Sequence, residues 1–204
     1  MPATALPLSK KLALLCAVLA FALSWVSPRW PQEQLLHSSL TVIGLIIMWR
    51  CLRHAWLTAG SAWWLVVFIA LHCVASHWLY SNVPYESWSQ SLFGFSVNGL
   101  FGWQRNQFDR LVHLMYGICL VPALCDYLRQ RYPLNARHAF WLALGLIMVS
   151  SLVYEWMEWL IAVALSPEQA EAYNGQQGDV WDAHKDMLLA TIGALLWWPR
   201  YGFR

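Results

Sequence analysis

Apolar residues along this chain fall into six long blocks separated by short polar stretches. Apolar runs of about 17 to 25 residues are long enough to cross a bilayer as a helix. Runs at or near that length lie at 9–27, 61–80, 109–127, 138–163 and 182–199, and a shorter one lies at 35–50. The segment 35–50 is the least certain span, because its strongly apolar part from Leu40 to Trp49 is short and contains Gly44. The pattern predicts an all-α, polytopic transmembrane helical bundle with about six membrane-spanning helices.

The composition agrees with a membrane protein. Of the 204 residues, 59% are hydrophobic and 12% are charged, whereas soluble domains average about 45–50% apolar and about 25% charged residues. We therefore interpret residues 1–204 as a single integral membrane domain whose main partner is the lipid bilayer. The formal net charge is +2, and no basic face is interleaved with exposed aromatic residues, so we expect no nucleic-acid partner. The five cysteines lie in or beside apolar runs without C-x-x-C spacing, which predicts buried thiols.

The charges at the segment ends predict the orientation. Nine basic side chains lie at one set of ends: Lys10, Lys11, Arg50, Arg53, Arg129, Arg131, Arg137, Arg200 and Arg204. Four lie at the other: Arg29, Arg105, Arg110 and Lys185. By the positive-inside rule both termini are cytoplasmic. On the outer side, the connections 81–108 and 166–181 are longer than the inner ones, which is typical of functional loops.

Ionisable side chains gather near the outer ends of four predicted segments. They are His72, His77, Asp109, His113, Glu155, Glu158, Asp179, Asp182 and Asp186. An ionisable group within the hydrocarbon costs roughly 2.5–3.5 kcal/mol and is by default a functional-site hypothesis. At a rise of about 1.5 Å per residue, the acidic residues and His113 of segments four to six lie within about 10 Å of the outer boundary. His72 is somewhat deeper.

The helical spacing places these groups on common faces. Asp109 and His113 are four residues apart, Glu155 and Glu158 are three apart, and the three aspartates follow at intervals of three and four. Each segment thus presents one polar stripe, which must face other helices or a water-filled cavity rather than lipid. His184 points about 200° away from Asp182, so it is not part of this stripe.

Carboxylates and imidazoles contributed by four helices are suited to divalent Mn, Fe or Zn. We therefore take all nine residues as candidate metal ligands. Glu155 and Glu158 are also candidate catalytic residues, because a spare glutamate can act as general base. A metal-activated water could then hydrolyse a lipid or envelope substrate. Neither Glu-x-x-His nor His-Glu-x-x-His occurs, so the motifs of known metalloenzymes are missing.

Several alternatives stay open at this point. Asp109 and Asp182 could cap their helices, Arg110 and Lys185 could pair with carboxylates in a structural network, and either histidine of segment three could be an interior, hydrogen-bonded side chain. The same acids and histidines could serve a proton-coupled transporter or channel, although the inner halves of the segments offer few polar residues. A structural or assembly factor with a buried polar network is the third possibility.

Four stretches resemble signature blocks of the YjdF-type bacterial inner-membrane proteins, a domain family of unknown function. They are 72–84, 105–113, 154–159 and 175–187, and the Gly-Asp-x-Trp-Asp-x-x-x-Asp-Met pattern in the last is the most specific. The chain departs from the family pattern at His184, where Gln is usual. A more distant similarity links the Asp-Arg-x-x-His arrangement to VanZ-type membrane proteins. The resemblance implies a multi-pass protein of the bacterial inner membrane and assigns no reaction; together with the orientation it predicts a polar cluster on the periplasmic side.

Overall fold

The computed structural model describes residues 6–164 and 176–202, and within these ranges every regular element is a helix. The helices are α1 (Leu8–Ser24), α2 (Pro31–Arg53), α3 (Ala59–His77), α4 (Tyr85–Phe93), α5 (Val97–Phe101), α6 (Phe108–Arg131), α7 (Ala136–Ala164), α8 (Asp182–Leu195) and α9 (Trp198–Tyr201). The all-α prediction is confirmed, and each of the six predicted segments forms a helix. Two short helices, α4 and α5, occupy the predicted outer connection 81–108. Residues 166–175 of the other long connection lie outside the described residues.

Four of these helices are long and apolar enough to cross a membrane: α2, α3, α6 and α7. The second segment, the weakest in the sequence, is thus a helix of 23 residues. The helices α1 and α8 are shorter, at 17 and 14 residues. All five cysteines are free; four of them are buried, as the sequence predicts, whereas Cys16 is half-buried.

Local chemistry explains where these helices begin and end. Pro31 is the first residue of α2, a position where a missing backbone N–H is harmless. Thr58 caps α3, since its hydroxyl accepts from the Ser61 N–H at 3.2 Å. At its other end α3 stops at His77, because Leu79 and Tyr80 adopt left-handed φ angles of 49° and 53°. This turn folds Tyr80 back against α3.

The helix α6 lies at the centre of the bundle and packs on α3, α7 and α8. The backbones of α6 and α8 approach each other so closely that a Cβ placed on Gly117 would lie 2.0 Å from the Ala190 carbonyl oxygen. A Cβ on Gly193 would likewise lie 2.1 Å from the Leu114 carbonyl oxygen. Small residues at a helix crossing allow two backbones to meet in this way. The crossing fixes the polar stripe of α6 against that of α8.

The two ends of the bundle differ in chemistry. At one end, here called the basic end, α2 and α6 finish in Arg50, Arg53, Arg129 and Arg131. Asp126 joins α6 to α3 there, accepting from the Thr58 N–H at 2.9 Å and from the Ser61 hydroxyl at 2.6 Å. The opposite end, here called the site end, holds the ends of α3 and α7 and the beginnings of α6 and α8.

Candidate functional site

Three buried side chains converge where α6 and α8 begin. Asp109 and His113 come from α6 and Asp186 from α8, and one donor atom of each lies within 4.8 Å of the others. The His113 Nε2 atom is 3.6 Å from Asp109 Oδ1, which is too long for a hydrogen bond. The spacing of four residues puts both α6 side chains on one face, and the glycine crossing turns that face toward Asp186. The three atoms are close enough for one cation to contact them all.

The helix α7 adds two glutamates to this region. Glu155 is buried, and its Oε1 atom lies 3.9 Å from His113 Nε2. Glu158 follows one turn later, is half-buried and lies beside the Tyr154 hydroxyl. The structure therefore brings Asp109, His113, Glu155 and Asp186 into one group, here called the buried acid–histidine group, with Glu158 at its margin.

Two oxygen atoms of this group lack a hydrogen-bond partner. Within residues 6–164 and 176–202, neither Asp186 Oδ1 nor Glu155 Oε1 has a donor within bonding distance. Both atoms are enclosed, since Asp186 is 2% exposed and Glu155 is 8% exposed. A buried carboxylate without a donor or a cation is strongly unfavourable. The arrangement is therefore suited to a bound cation.

Asp179 and Asp182 have cationic partners from the chain itself. The Arg105 guanidinium donates to Asp182 Oδ1 at 2.6 Å. Arg110 pairs with Asp179 and also reaches Asp182 Oδ1 at 3.3 Å. The Lys185 ammonium lies 2.6 Å from Asp179, and hydrogen bonds from Lys185, Trp181 and Arg110 hold the pKa of Asp179 below its usual range. The structural network considered for Arg110 and Lys185 is thus present.

Hydrogen bonds beside this network join the segments that precede α6 and α8. Arg105 also donates to the Gln176 carbonyl at 2.9 Å. Next to it, the Asn106 N–H donates to the Gln177 side chain at 2.9 Å, and Gln177 donates back to the Asn106 carbonyl at 3.2 Å. The segment preceding α6 is therefore fastened to the segment preceding α8, above the buried acid–histidine group.

Helix capping does not account for Asp109 or Asp182. The capping positions of α6 and α8 belong to Gln107 and Trp181, and neither helix has a side-chain cap hydrogen bond. Asp179 instead accepts from the Trp181 N–H at 3.1 Å. His184, which spacing places off the stripe, is exposed.

The structure places His72 and His77 elsewhere. The His72 Nδ1 atom is 2.5 Å from the Tyr80 hydroxyl, and the Tyr80 ring packs on His37 with centroids 4.8 Å apart. His77 Nδ1 lies 2.8 Å from the Ser24 carbonyl oxygen. These histidines therefore join α1, α2 and α3, which is the interior, hydrogen-bonded alternative that the sequence left open. The sequence did not indicate His37, which is buried on α2 together with Gln34 and Thr41 on the same face.

Asp179 is expected to matter more for stability than Lys185. Replacing Asp179 with alanine leaves Arg110 without its closest carboxylate. The Nε atom of Arg110 already lacks a hydrogen-bond partner among the described residues. The side chain of Lys185 is 45% exposed, so water can replace its partner. We expect Asp179→Ala to lower the melting temperature in detergent clearly more than Lys185→Ala does. Equal shifts would contradict this account of the network.

The buried polar group and the long apolar helices around it define a multi-pass membrane protein. Residues 10–200 match the family described as predicted membrane protein DUF2238, so the chain belongs to that family. It is 33% identical over 138 residues to the inner membrane protein YjdF of Escherichia coli K12. This alignment covers 64% of the chain and 61% of that relative's length. The resemblance to YjdF-type proteins is thus confirmed, while no solved structure matches.

Proposed function

We propose that the chain is a multi-pass protein of the bacterial inner membrane, with about six spanning helices and both termini in the cytoplasm. The name of the Escherichia coli relative supports the location. The excess of Lys and Arg at the basic end supports the orientation, which puts the site end on the periplasmic side. The helices α1 and α8 pack along α3 and α6 respectively, beside helices of spanning length.

We propose that Asp109, His113 and Asp186 bind one divalent cation, with Glu155 as a further carboxylate beside it. The observation that carries this proposal is the pair of buried, unpartnered oxygens on Asp186 and Glu155. Carboxylate and imidazole ligands suit Zn, Mn or Fe. Asp179 and Asp182 are left out of this ligand set because arginine and lysine already neutralise them. His72 and His77 are left out because they bond elsewhere.

The chemistry proposed for this centre is hydrolysis. A divalent cation lowers the pKa of a bound water and so supplies a nucleophile at neutral pH. In this proposal Glu155, or Glu158 one turn away, would serve as the general base for such a water. The substrate would be a lipid or envelope molecule reaching the site end from the periplasmic leaflet.

Proton transport receives less support than metal binding. Between the buried acid–histidine group and the basic end, α6, α7 and α8 pack through an apolar cluster. Its buried members are Val121, Cys125, Leu128, Ala139, Phe140, Ala143, Leu144, Ile147, Ala190 and Ala194. A structural or assembly role is the second candidate, because the Arg105 and Arg110 ion pairs already hold the site end together.

Metal content tests the proposal. Wild-type protein, purified without chelator and offered Zn, Mn and Fe in turn, is expected to retain about one metal per chain by elemental mass spectrometry. Asp186→Asn should lose it. Asp126→Asn is the matched control, since this carboxylate lies at the basic end with its own donors. A wild type without metal, or Asp186→Asn with an undiminished content, would refute the site and favour the structural role.

A stability measurement separates lost binding from misfolding. Without metal, Asp186 and Asp109 are neighbouring buried carboxylates, and neutralising one of two like charges relieves repulsion. We therefore expect metal-free Asp186→Asn to melt at a higher temperature than metal-free wild type. A lower melting temperature would show that Asp186 mainly supports the fold.

A further inference from the structure

The segment between α3 and α6 exposes a dense set of large apolar side chains. They are Trp88, Leu92, Phe93, Phe95, Leu100, Phe101 and Trp103, all on α4, α5 and the residues beside them. Leu92, Phe93 and Leu100 are at least 70% exposed. Between residues 85 and 103 the only charged side chain is Glu86. We call residues 85–103 the α4–α5 hairpin.

The helix α4 is amphipathic. Trp88 and Leu92 are four residues apart, share one face and are exposed. Tyr85 lies at the inner border of this face and packs on Phe108. The opposite face carries Glu86, Ser87, Gln90 and Ser91. A short helix with one uncharged aromatic face and one polar face is typical of helices that lie in the plane of a membrane interface.

Hydrogen bonds within the hairpin satisfy many of its polar groups. The Glu86 carboxylate accepts from the Asn98 N–H at 3.0 Å. The Ser89 hydroxyl donates to the Phe95 carbonyl at 2.7 Å, and Ser96 caps α5 by accepting from the Gly99 N–H at 2.8 Å. These hydrogen bonds stabilise the hairpin internally, while its large apolar side chains remain exposed.

The hairpin connects the ends of two helices that are long enough to cross a membrane. These are α3 and α6, which it joins at the site end. Trp78, directly after α3, packs edge-on against Trp88 with centroids 6.3 Å apart, and the Arg29 guanidinium covers Trp78 at 4.5 Å. Tryptophan and arginine at helix ends are characteristic of the water–lipid interface. The exposed face of α4 thus adjoins an aromatic and arginine pair of the kind found at a membrane interface.

We propose that the α4–α5 hairpin lies in the bilayer interface at the site end, with its apolar side chains among the lipid headgroups and upper acyl chains. The hairpin is tied to α6, because the Tyr85 hydroxyl donates to Asn98 at 2.6 Å and accepts from the Gln107 N–H at 3.0 Å. Gln107 is two residues before Asp109. The embedded hairpin thus sets the depth of the buried acid–histidine group close to the headgroups. Given the proposed function, on which this last step rests, the substrate class would be a lipid headgroup.

Spin-label depth measurements on the full chain test the proposal. The protein would be reconstituted in vesicles of phosphatidylethanolamine and phosphatidylglycerol with a nitroxide at Leu92→Cys or Leu100→Cys. Ser87→Cys and Gln90→Cys, on the polar face of α4, are the matched controls. A Cys16→Ser background leaves only the four buried native cysteines. We expect the labels at positions 92 and 100 to be relaxed more by oxygen than by a water-soluble nickel complex, and the control labels to show the reverse.

Two outcomes would overturn the proposal. Labels at Leu92→Cys and Leu100→Cys that are as accessible to nickel as the controls would place the hairpin in water. Immobilised labels with dipolar coupling between chains would show a second copy, rather than lipid, against this face. Repeating the measurement on metal-free Asp186→Asn keeps the two claims separate, because the depth of the hairpin should be unchanged whether or not the chain binds metal.

Discussion

Replacing Gly117 with alanine is expected to separate α6 from α8 and to lower the free energy of unfolding severely. The new Cβ would lie 2.0 Å from the Ala190 carbonyl oxygen and 2.6 Å from the Ala194 nitrogen. Both atoms belong to backbone, so no side-chain rotation can relieve the clash, and α8 itself must move. Overpacking costs about 1–3 kcal/mol and occasionally more, and we expect this substitution to reach or exceed the upper value.

Gly145→Ala provides the matched control. It lies on α7 with no atom within 4 Å of the added methyl group, and alanine is the better helix former by about 1 kcal/mol. Reversible unfolding of the purified protein in mixed micelles, followed by circular dichroism, would measure both variants. We expect a large loss for Gly117→Ala and no loss for Gly145→Ala. Comparable stability of the two variants would mean that α6 and α8 are further apart than the structure has them.

Removing the imidazole of His113 is expected to weaken metal binding severely. Its Nε2 atom is the nitrogen donor of the proposed centre, 3.6 Å from Asp109 and 3.9 Å from Glu155. Loss of an outer partner of a metal ligand commonly costs about 10–100-fold in affinity, so loss of the ligand itself should cost at least about 100-fold. Zn should lose more than Mn, because imidazole suits Zn and carboxylate suits Mn.

His72→Ala is the control, because the sequence also predicted His72 as a metal ligand whereas the proposed centre does not include it. His72 bonds to Tyr80, whose ring packs on His37, and it is not one of the three residues that converge where α6 and α8 begin. Chelator-competition titrations of both variants should show unchanged affinity for His72→Ala and weakened affinity for His113→Ala. The opposite order would move the metal to the α2–α3 side of the bundle.

The sequence predicted the long helices well, because a helix that faces lipid on one side must be apolar over its whole length. The length of the apolar runs did not predict the short helices α4 and α5. With 9 and 5 residues they are far below spanning length, and their signals are local: Pro84 before α4, and Gly94 and Gly102 with left-handed φ at the two helix ends.

The candidate site could be predicted in part. Spacing correctly grouped Asp109 with His113, because that pairing depends only on one helix. Depth also suggested His72 and His77, but depth does not say toward which neighbouring helix a side chain points. Although α3 packs on α6, His77 bonds to Ser24, and His72 bonds to Tyr80, which packs on His37. Arg105 likewise forms an ion pair with Asp182, 77 residues away in the chain. No local sequence pattern indicates this pairing.

X-ray absorption by the zinc-loaded protein tests the central claim most directly. A centre built from Asp109, His113 and Asp186, with Glu155 beside it, predicts nitrogen and oxygen neighbours at about 2.0–2.2 Å and the scattering signature of a single imidazole. The same signature should disappear in His113→Ala. Two or more imidazoles, or sulfur at about 2.3 Å, would contradict the account, because zinc would then be held by other histidines or by cysteines.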